Sequence, residues 1–273
     1  MEIRNLQDTK LELIVACLLK AFANYFVKMP ASVPYWRQRF KLGRVDFAHS
    51  YGVFEEGELV AFIINGIDEY EGLKTAFNTG TGVVPAFRGR ALVDQIYDFA
   101  LPALRAIGVK RCGLEVIQKN DRAIRVYERI GFRAISALRS FKMEAFPLDF
   151  EFSLKKEDYH TLSKTYGEAS TFYAWDHQAT AVQLAGDTFE SYSVWKSSNE
   201  LVGHFTINPT KGDLIQFEAR PNHLSNLFAG IQHLIKKVRI INVDDRNLER
   251  ITFLQENAAF TPLIEQNEME FLI

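Results

Sequence analysis

A chain of 273 residues is long enough, at roughly 150 residues per domain, for two domains that each bury a core. With 47% hydrophobic and 24% charged residues it has the composition of a soluble globular protein, which excludes disordered, collagen-like and membrane-protein classes. The 32 basic and 34 acidic side chains leave a net charge of −2, so no overall positive field exists to hold nucleic acid or an anionic membrane, and any anionic partner needs a local site.

Residues 2–6 read as a short strand, and Asp8 as the N-cap of a helix over about 9–27. The apolar stretch 11–26 is interrupted by Glu12, Lys20 and Asn24 and has neither a charged leader nor a cleavage site, so it reads as amphipathic rather than as a targeting segment. Pro30 and Pro34 bracket a turn into a second helix carrying Tyr35, Trp36 and Phe40. Residues 50–54, the turn Glu55-Glu56-Gly57 and residues 59–64 form a predicted hairpin, and a longer strand over 76–84 ends at Pro85.

After the turn Pro85-Ala86-Phe87-Arg88-Gly89-Arg90-Ala91 a helix begins, with Leu92, Ile96, Phe99, Ala103 and Ile107 as its apolar face and Gly108 as its stop. Pro102 cannot donate to the carbonyl of Asp98, which predicts a kink or local break. A buried-type strand over 112–117 follows. Asn120 then opens a helix running through Ala123, Ile124 and Tyr127 to Ile130, and Gly131-Phe132 ends it.

The second half repeats landmarks of the first in the same order. Ala31-Ser32-Val33-Pro34-Tyr35-Trp36 is echoed by Ala169-Ser170-Thr171-Phe172-Tyr173-Ala174-Trp175, Glu58-Leu59-Val60-Ala61 by Glu200-Leu201-Val202-Gly203, and 116–132 by 243–260. An internal duplication with a boundary near 144–150 is the reading, giving domains 1–145 and 146–273.

A strand that turns through small residues into a helix presents several backbone N–H groups at the positive end of the helix dipole, which makes an anion cradle. Arg88 and Arg90 flank Gly89 and add charge-assisted donors, unless they are merely solvated. In the next strand–helix unit, Asn120, Ala123 or Ile124, and Tyr127 share one helix face, and Glu115 points opposite to Leu114 and Val116. A carboxylate so placed can serve as a general base, and Tyr127 is either a core aromatic or a proton donor. Cys17 and Cys112 give neither a disulfide framework nor a metal spacing, and the six histidines offer no pair at ligand spacing beside a third ligand. A cytoplasmic protein without a bound metal is therefore expected.

Val83-Val84-Pro85-x-x-Arg88-Gly89-Arg90-Ala91-Leu92, followed by Leu114-Glu115-Val116 and Asn120-x-x-Ala123-Ile124-x-x-Tyr127-Glu128-x-Ile130-Gly131-Phe132, resembles the GNAT superfamily of acyl-CoA-dependent N-acetyltransferases over about residues 1–145. The resemblance implies an α+β fold whose mixed sheet splits between the strand ending at Val84 and the strand holding Glu115, with the pantetheine arm of acetyl-CoA in the opening. It implies that Val83 and Val84 hydrogen-bond that arm, that Arg88, Gly89, Arg90, Ala91, Leu92 and Val93 hold the pyrophosphate, and that Asn120 lines the arm. It further implies that Tyr127 protonates the leaving thiolate and that Glu115 is the base, directly or through water. Ala91 and Val93 stand where the family's Arg-x-x-Gly-x-Gly/Ala pattern has small residues, which narrows the approach to the pyrophosphate.

In the second half, Arg220-Pro221-Asn222-His223 takes the place of the Arg88–Ala91 turn and Gln255 that of Tyr127, so this half reads as a degenerate copy. Asp68, Glu69 and Glu71 read as a loop that either attracts a cationic amine or is simply solvated. Tyr35, Trp36, Tyr173 and Trp175 read as lining of an acceptor cleft or as core. The expected activity is transfer of an acetyl group from acetyl-CoA to a small-molecule or peptide amine by direct attack in a ternary complex, with no nucleic-acid or membrane partner. The alternative is a non-catalytic acyl-CoA-binding or interaction protein on the same scaffold.

Overall fold

The computed structural model describes residues 1–146, 151–166 and 172–273, so Ala169, Ser170 and Thr171 of the echo and residues 147–150 of the expected boundary lie outside the described residues. The chain divides into two compact units, Met1–Ile135 with Glu268–Ile273, and Ser136–Asn267.

The first unit runs β1 (Glu2–Asn5), α1 (Leu11–Ala21), α2 (Val33–Leu42), β2 (Tyr51–Glu55), β3 (Glu58–Tyr70), β4 (Leu73–Val83), α3 (Leu92–Ala106), β5 (Arg111–Ile117) and α4 (Asp121–Ile130). Strands β1 to β4 pair antiparallel in sequence order and β5 joins β4 in parallel. Two-residue turns close both hairpins, Glu56-Gly57 at φ +51° and +85° and Glu71-Gly72 at φ +48° and +76°, the conformation that matches strand twist and favours glycine second. Side chains alternate across β3, with Phe62 and Ile64 packing in a core with Leu18 and Phe40, and Ala61 and Ile63 in a core with Ile96 and Leu104. Helices cover both sheet faces, which is why residues 59–64 read as one apolar run.

Several sequence expectations need correction. Lys10, not Asp8, holds the N-cap position of α1, because Thr9 N–H first closes a turn onto the Leu6 carbonyl at 3.0 Å. The helix stops at Ala21 rather than Val27, where Phe22, Tyr25 and Phe26 gather edge-to-face at 4.8 and 5.3 Å. Asp68 and Glu69 lie within β3 rather than in a loop, and their neighbour Glu71 sits in the tight turn. Phe99 is 50% exposed, and the buried face of α3 is instead Leu92, Val93, Ile96, Tyr97, Ala100 and Leu104. Helix α3 continues through Pro102 as one element, so the expected local break is absent, and Asp98 and Pro102 are both exposed.

The second unit contains β6 (Arg133–Met143) from Ser136 on, β7 (Phe152–Glu157), α5 (Tyr159–Tyr166), α6 (Ala179–Ala185), β8 (Glu190–Lys196), β9 (Leu201–Asn208), β10 (Asp213–Ala219), α7 (Leu224–Leu234), β11 (Val238–Asp244), α8 (Leu248–Glu256) and β12 (Phe260–Leu272) up to Asn267. Strands β8, β9 and β10 pair antiparallel and β10 pairs β11 in parallel, with α7 between them and α8 after. This repeats the β2–β3–β4–α3–β5–α4 order of the first unit. Its core gathers Phe205, Phe217, Phe228, Ile240 and Leu254.

The last residues of β12 complete the first unit beside β5. Tyr70 donates to Glu268 at 2.6 Å, Arg111 meets Glu71 at 3.3 Å and Glu270 at 3.8 Å, and Ile273 N–H donates to the Lys110 carbonyl at 3.0 Å. Met269, 1% exposed, fills the α3-side core.

Candidate functional site

The β4–β5 ladder runs from Thr75↔Arg111 to Asn78↔Leu114, and there the strands part. Just past the fork Ile64 pairs with Gly80 and Asn65 with Asn78, which leaves Thr79 as the extra residue of a bulge in β4. The end of β4, the turn into α3, α4 and residues 21–26 enclose a cleft of about 670 Å³.

Val84 N–H bonds the Val60 carbonyl at 2.9 Å and the Val84 carbonyl accepts from Phe87 N–H at 2.9 Å, so both its backbone groups are committed. Val83, one step along the ladder, turns its N–H and carbonyl away from β3 toward the cleft. Arg88 binds the chain itself, donating from Nε to the Val83 carbonyl at 3.2 Å and from Nη2 to the Ala21 carbonyl at 2.8 Å, and so ties the end of α1 to the end of β4. Gly89 at φ +80° and Ala91 at φ +52° swing the chain into α3, and the first helical bond is Gln95 N–H to the Ala91 carbonyl. The N–H groups of Leu92, Val93 and Asp94 precede that bond and have no carbonyl partner within the helix.

Gly89, Arg90, Ala91, Leu92, Val93, Asn120 and Tyr127 line the cleft with Val83 and Arg88. Glu115 and Val84 stand outside that lining. Glu115 is half-buried on β5, and its charge, after burial and the carboxylates of Glu268 and Glu71, helps hold the Tyr70 phenol well above its usual value. Asn120 caps α4 by accepting from Ala123 N–H at 3.3 Å, and Gly131, at φ +118°, and Phe132 return their N–H groups to the Tyr127 carbonyl at 3.1 and 3.0 Å.

Burial pushes the Tyr127 phenol up to about 12, against the lowering effect of the Thr81 side chain, while Tyr25 adds a smaller upward push. The phenol therefore keeps its proton at neutral pH. Tyr25 also rises by burial, opposed by its hydrogen bond with Asn120.

Arg122, Arg125 and Arg129 were not singled out in the sequence, yet with Arg88 and Arg90 they give the cleft five arginines against the single carboxylate of Asp94. Their spacing of three and four residues on α4 places them on one helix face and was available as a signal. In a chain of net charge −2, this is a local positive field of the kind an anionic ligand requires.

At the corresponding fork of the second unit, β10 and β11 part after Leu214↔Ile240, and the chain fills the opening itself. Tyr173 bridges to Val243, and its hydroxyl accepts from Phe217 N–H at 3.0 Å while lying 3.1 Å from the Phe217 carbonyl and 3.0 Å from Glu218. Arg250 pairs with Glu218 and reaches the Tyr173 hydroxyl at 3.3 Å, and Asn247 Nδ2 donates to the Phe172 carbonyl at 3.0 Å. Trp175 is fully buried in the same segment, so Tyr173 and Trp175 are core residues. A cavity of about 130 Å³ lies nearby, lined by Tyr166, His204, Glu218 and Arg220 among others.

Residues 16–132 match the model of the acetyltransferase (GNAT) family. Residues 16–132 are thereby identified as a GNAT-family domain, and the chain as a whole has a tandem GNAT-like fold. A tandem GNAT protein from the clavulanic acid biosynthesis pathway superposes with a TM-score of 0.68 at 14% identity, covering 99% of this chain and 98% of that one. A GCN5-related N-acetyltransferase from Sphaerobacter thermophilus gives 0.66 at 12% identity over 99% and 95% of the two chains. A glucosamine N-acetyltransferase region of a fungal multi-domain β-N-acetylglucosaminidase gives 0.71 at 10% identity, covering 99% of this chain and 38% of that one. At such identities these likenesses establish the tandem fold. No curated protein matches the sequence. Among the described residues no helix is long and apolar enough to cross a membrane.

Proposed function

We propose that the first unit is an N-acetyltransferase that moves the acetyl group of acetyl-CoA to a primary amine. The observation that carries this is the cleft at the β4–β5 fork, where a helix N-terminus and five arginines face the same space as a buried, protonated tyrosine. The arginines and the first turn of α3 supply donors for the phosphates of the cofactor. The Val83 carbonyl accepts from the pantetheine arm with the lone pair that Arg88 leaves free, and Asn120 lines the arm. Residues 146–273 hold no second acetyl-CoA site in this reading, and the free, buried Cys17 and Cys112 suit a reducing cytoplasm.

In the reaction the neutral amine attacks the thioester carbonyl, whose oxygen is polarised by the Val83 N–H. The C–N bond forms and the C–S bond breaks. The sulfur takes the Tyr127 proton, while the proton lost by the amine passes through water to Glu115, which stands outside the cleft lining, and thence to solvent. Solvent returns a proton to Tyr127, and the net products are an amide and free CoA thiol.

The test is thiol release from acetyl-CoA over polyamines, aminoglycosides, amino acids and peptide N-termini. Release with one class, lost in Tyr127→Phe and reduced in Glu115→Gln, is the expected result. Binding of acetyl-CoA without release for any acceptor would instead assign a binding role.

A further inference from the structure

Strand β9 turns its side chains alternately to the two faces of the second sheet. Phe205 and Ile207 enter the core with Phe228, which leaves His204 on the opposite face, where it pairs across the ladder with Glu218 on β10 and Ser193 on β8. The Tyr166 ring of α5 lies over its imidazole, 5.8 Å between centroids and 27° between planes. The Tyr166 hydroxyl donates to Glu157 at 3.1 Å, which holds that ring in place. His204 is thus 7% exposed, yet among the described residues its ring makes no hydrogen bond, and it lines the cavity of about 130 Å³. A buried imidazole without a partner is costly to fold, so the cavity beside it is a place where a ligand atom completes the pairing.

Charge decides the sign of that ligand. Glu218 lines the cavity, but Arg250 pairs with it and the Tyr173 hydroxyl lies 3.0 Å from it, so its charge is compensated. Glu157, behind Tyr166, has Lys155 at 3.9 Å. Arg220 makes no ion pair or side-chain hydrogen bond among the described residues, and its backbone N–H, bonded to the Val202 carbonyl at 2.8 Å, fixes it at the cavity rim. Burial holds the His204 imidazole below its ordinary value, so at pH 7 it offers an N–H rather than a second charge. Arg220 and Arg250 against Glu218 leave an excess of one positive charge. The volume equals about four water molecules at about 30 Å³ each, which limits the occupant to a handful of heavy atoms.

We propose that this cavity binds a small aliphatic monocarboxylate, whose carboxylate accepts from the Arg220 guanidinium and the His204 N–H and whose short tail packs against Leu201 and Ala219. Those two residues and Gly203 complete the wall and bring no charge to it. A phosphate monoester would carry close to two charges into a site with one in excess, and a cation would face the uncompensated arginine. The site lies wholly within the second unit, and nothing in it depends on acetyl transfer by the first.

The test titrates the ¹⁵N-labelled full chain with sodium propionate at pH 7, with chloride holding the ionic strength constant, and follows the backbone amide of Gly203 in the parent and in each variant. Saturation with a Kd of about 1 mM is expected. Arg220→Gln removes the free charge and weakens binding about tenfold, and His204→Phe keeps a ring beneath Tyr166, removes the N–H and weakens it about fivefold. A Gly203 resonance unmoved by about 50 mM propionate overturns the proposal and makes the cavity a water pocket. So does a Kd that Arg220→Gln leaves unchanged. Tighter binding of inorganic phosphate, or a response to methylammonium in place of propionate, overturns it in favour of a dianion or a cation site. If His204→Phe does not fold, Arg220→Gln carries the comparison alone, since it alters only an exposed side chain.

Discussion

Arg129 grips Asp94 through two parallel hydrogen bonds, Nε to Oδ1 at 2.6 Å and Nη2 to Oδ2 at 2.7 Å, joining the last turn of α4 to the first turn of α3 at the rim of the cleft. The guanidinium holds the Asp94 carboxyl below its ordinary value, so its contribution to stability is present above the unfolded carboxylate value and is lost as pH falls below it. Arg129 is 56% exposed, and the pair adds little to stability. Its larger effect is on charge at the anion site. Asp94→Asn removes the one carboxylate there and frees Arg129, and CoA then binds about tenfold tighter by calorimetry; Arg129→Ala leaves Asp94 uncompensated and weakens binding by a similar factor. Both effects shrink in high salt. Weaker binding by Asp94→Asn would show that the pair acts by shape instead.

Tyr127 holds its proton up to about pH 12, above the usual phenol value of about 10. Because the folded value is the higher one, the stability this burial provides is complete below pH 10 and declines between 10 and 12. The corresponding kinetic expectation is a kcat that shows no loss from Tyr127 between pH 7 and about 10, and a Tyr127→Phe variant that is slower by about a hundredfold across that window. An alkaline limb near pH 8 that vanishes in Tyr127→Phe would mean a phenol far more acidic than its burial allows.

Ala91 sits in the left-handed region at φ +52°, which costs a residue with a Cβ about 1 kcal/mol. Ala91→Gly removes that cost, less the backbone entropy glycine adds to the unfolded chain. The urea midpoint should rise slightly, and CoA should bind more tightly because the backbone comes closer to the phosphates. A lower midpoint with unchanged affinity would mean that the Ala91 methyl packs usefully.

Tyr173 satisfies the backbone of Phe217 at the fork of the second unit. Titration with acetyl-CoA should therefore saturate at one equivalent per chain. Tyr173→Phe leaves the buried Phe217 N–H without its acceptor and costs about 1–3 kcal/mol in urea unfolding. Saturation at two equivalents would show that the segment leaves the opening when ligand arrives.

What was legible in the sequence was chemistry tied to local geometry. Asn120 and Gly131 mark the ends of α4 because capping needs a short polar side chain and a left-handed exit, and the Glu56-Gly57 turn follows from the same backbone logic. Phe99 was misplaced because five apolar residues at helical spacing describe a stripe without saying which neighbouring stripe the sheet will cover; Val93, Tyr97 and Leu104 were the better set. The early end of α1 follows from aromatic packing among Phe22, Tyr25 and Phe26, which propensity does not encode. Asn78 reads only as a strand residue, since its place as the last paired residue before the fork depends on where β5 leaves β4.

The anchoring of residues 268–273 in the first unit has a consequence for how the protein is made. Strand β5 lacks its outer neighbour, and Arg111 its Glu270 partner, until more than 130 intervening residues have been translated. A ribosome therefore exposes the N-terminal unit with an unpaired edge for the whole synthesis of the second, at about 5–20 residues per second. The unit built first is finished last, and during that interval its open edge is the place where a nascent chain is vulnerable to mispairing and to chaperone capture.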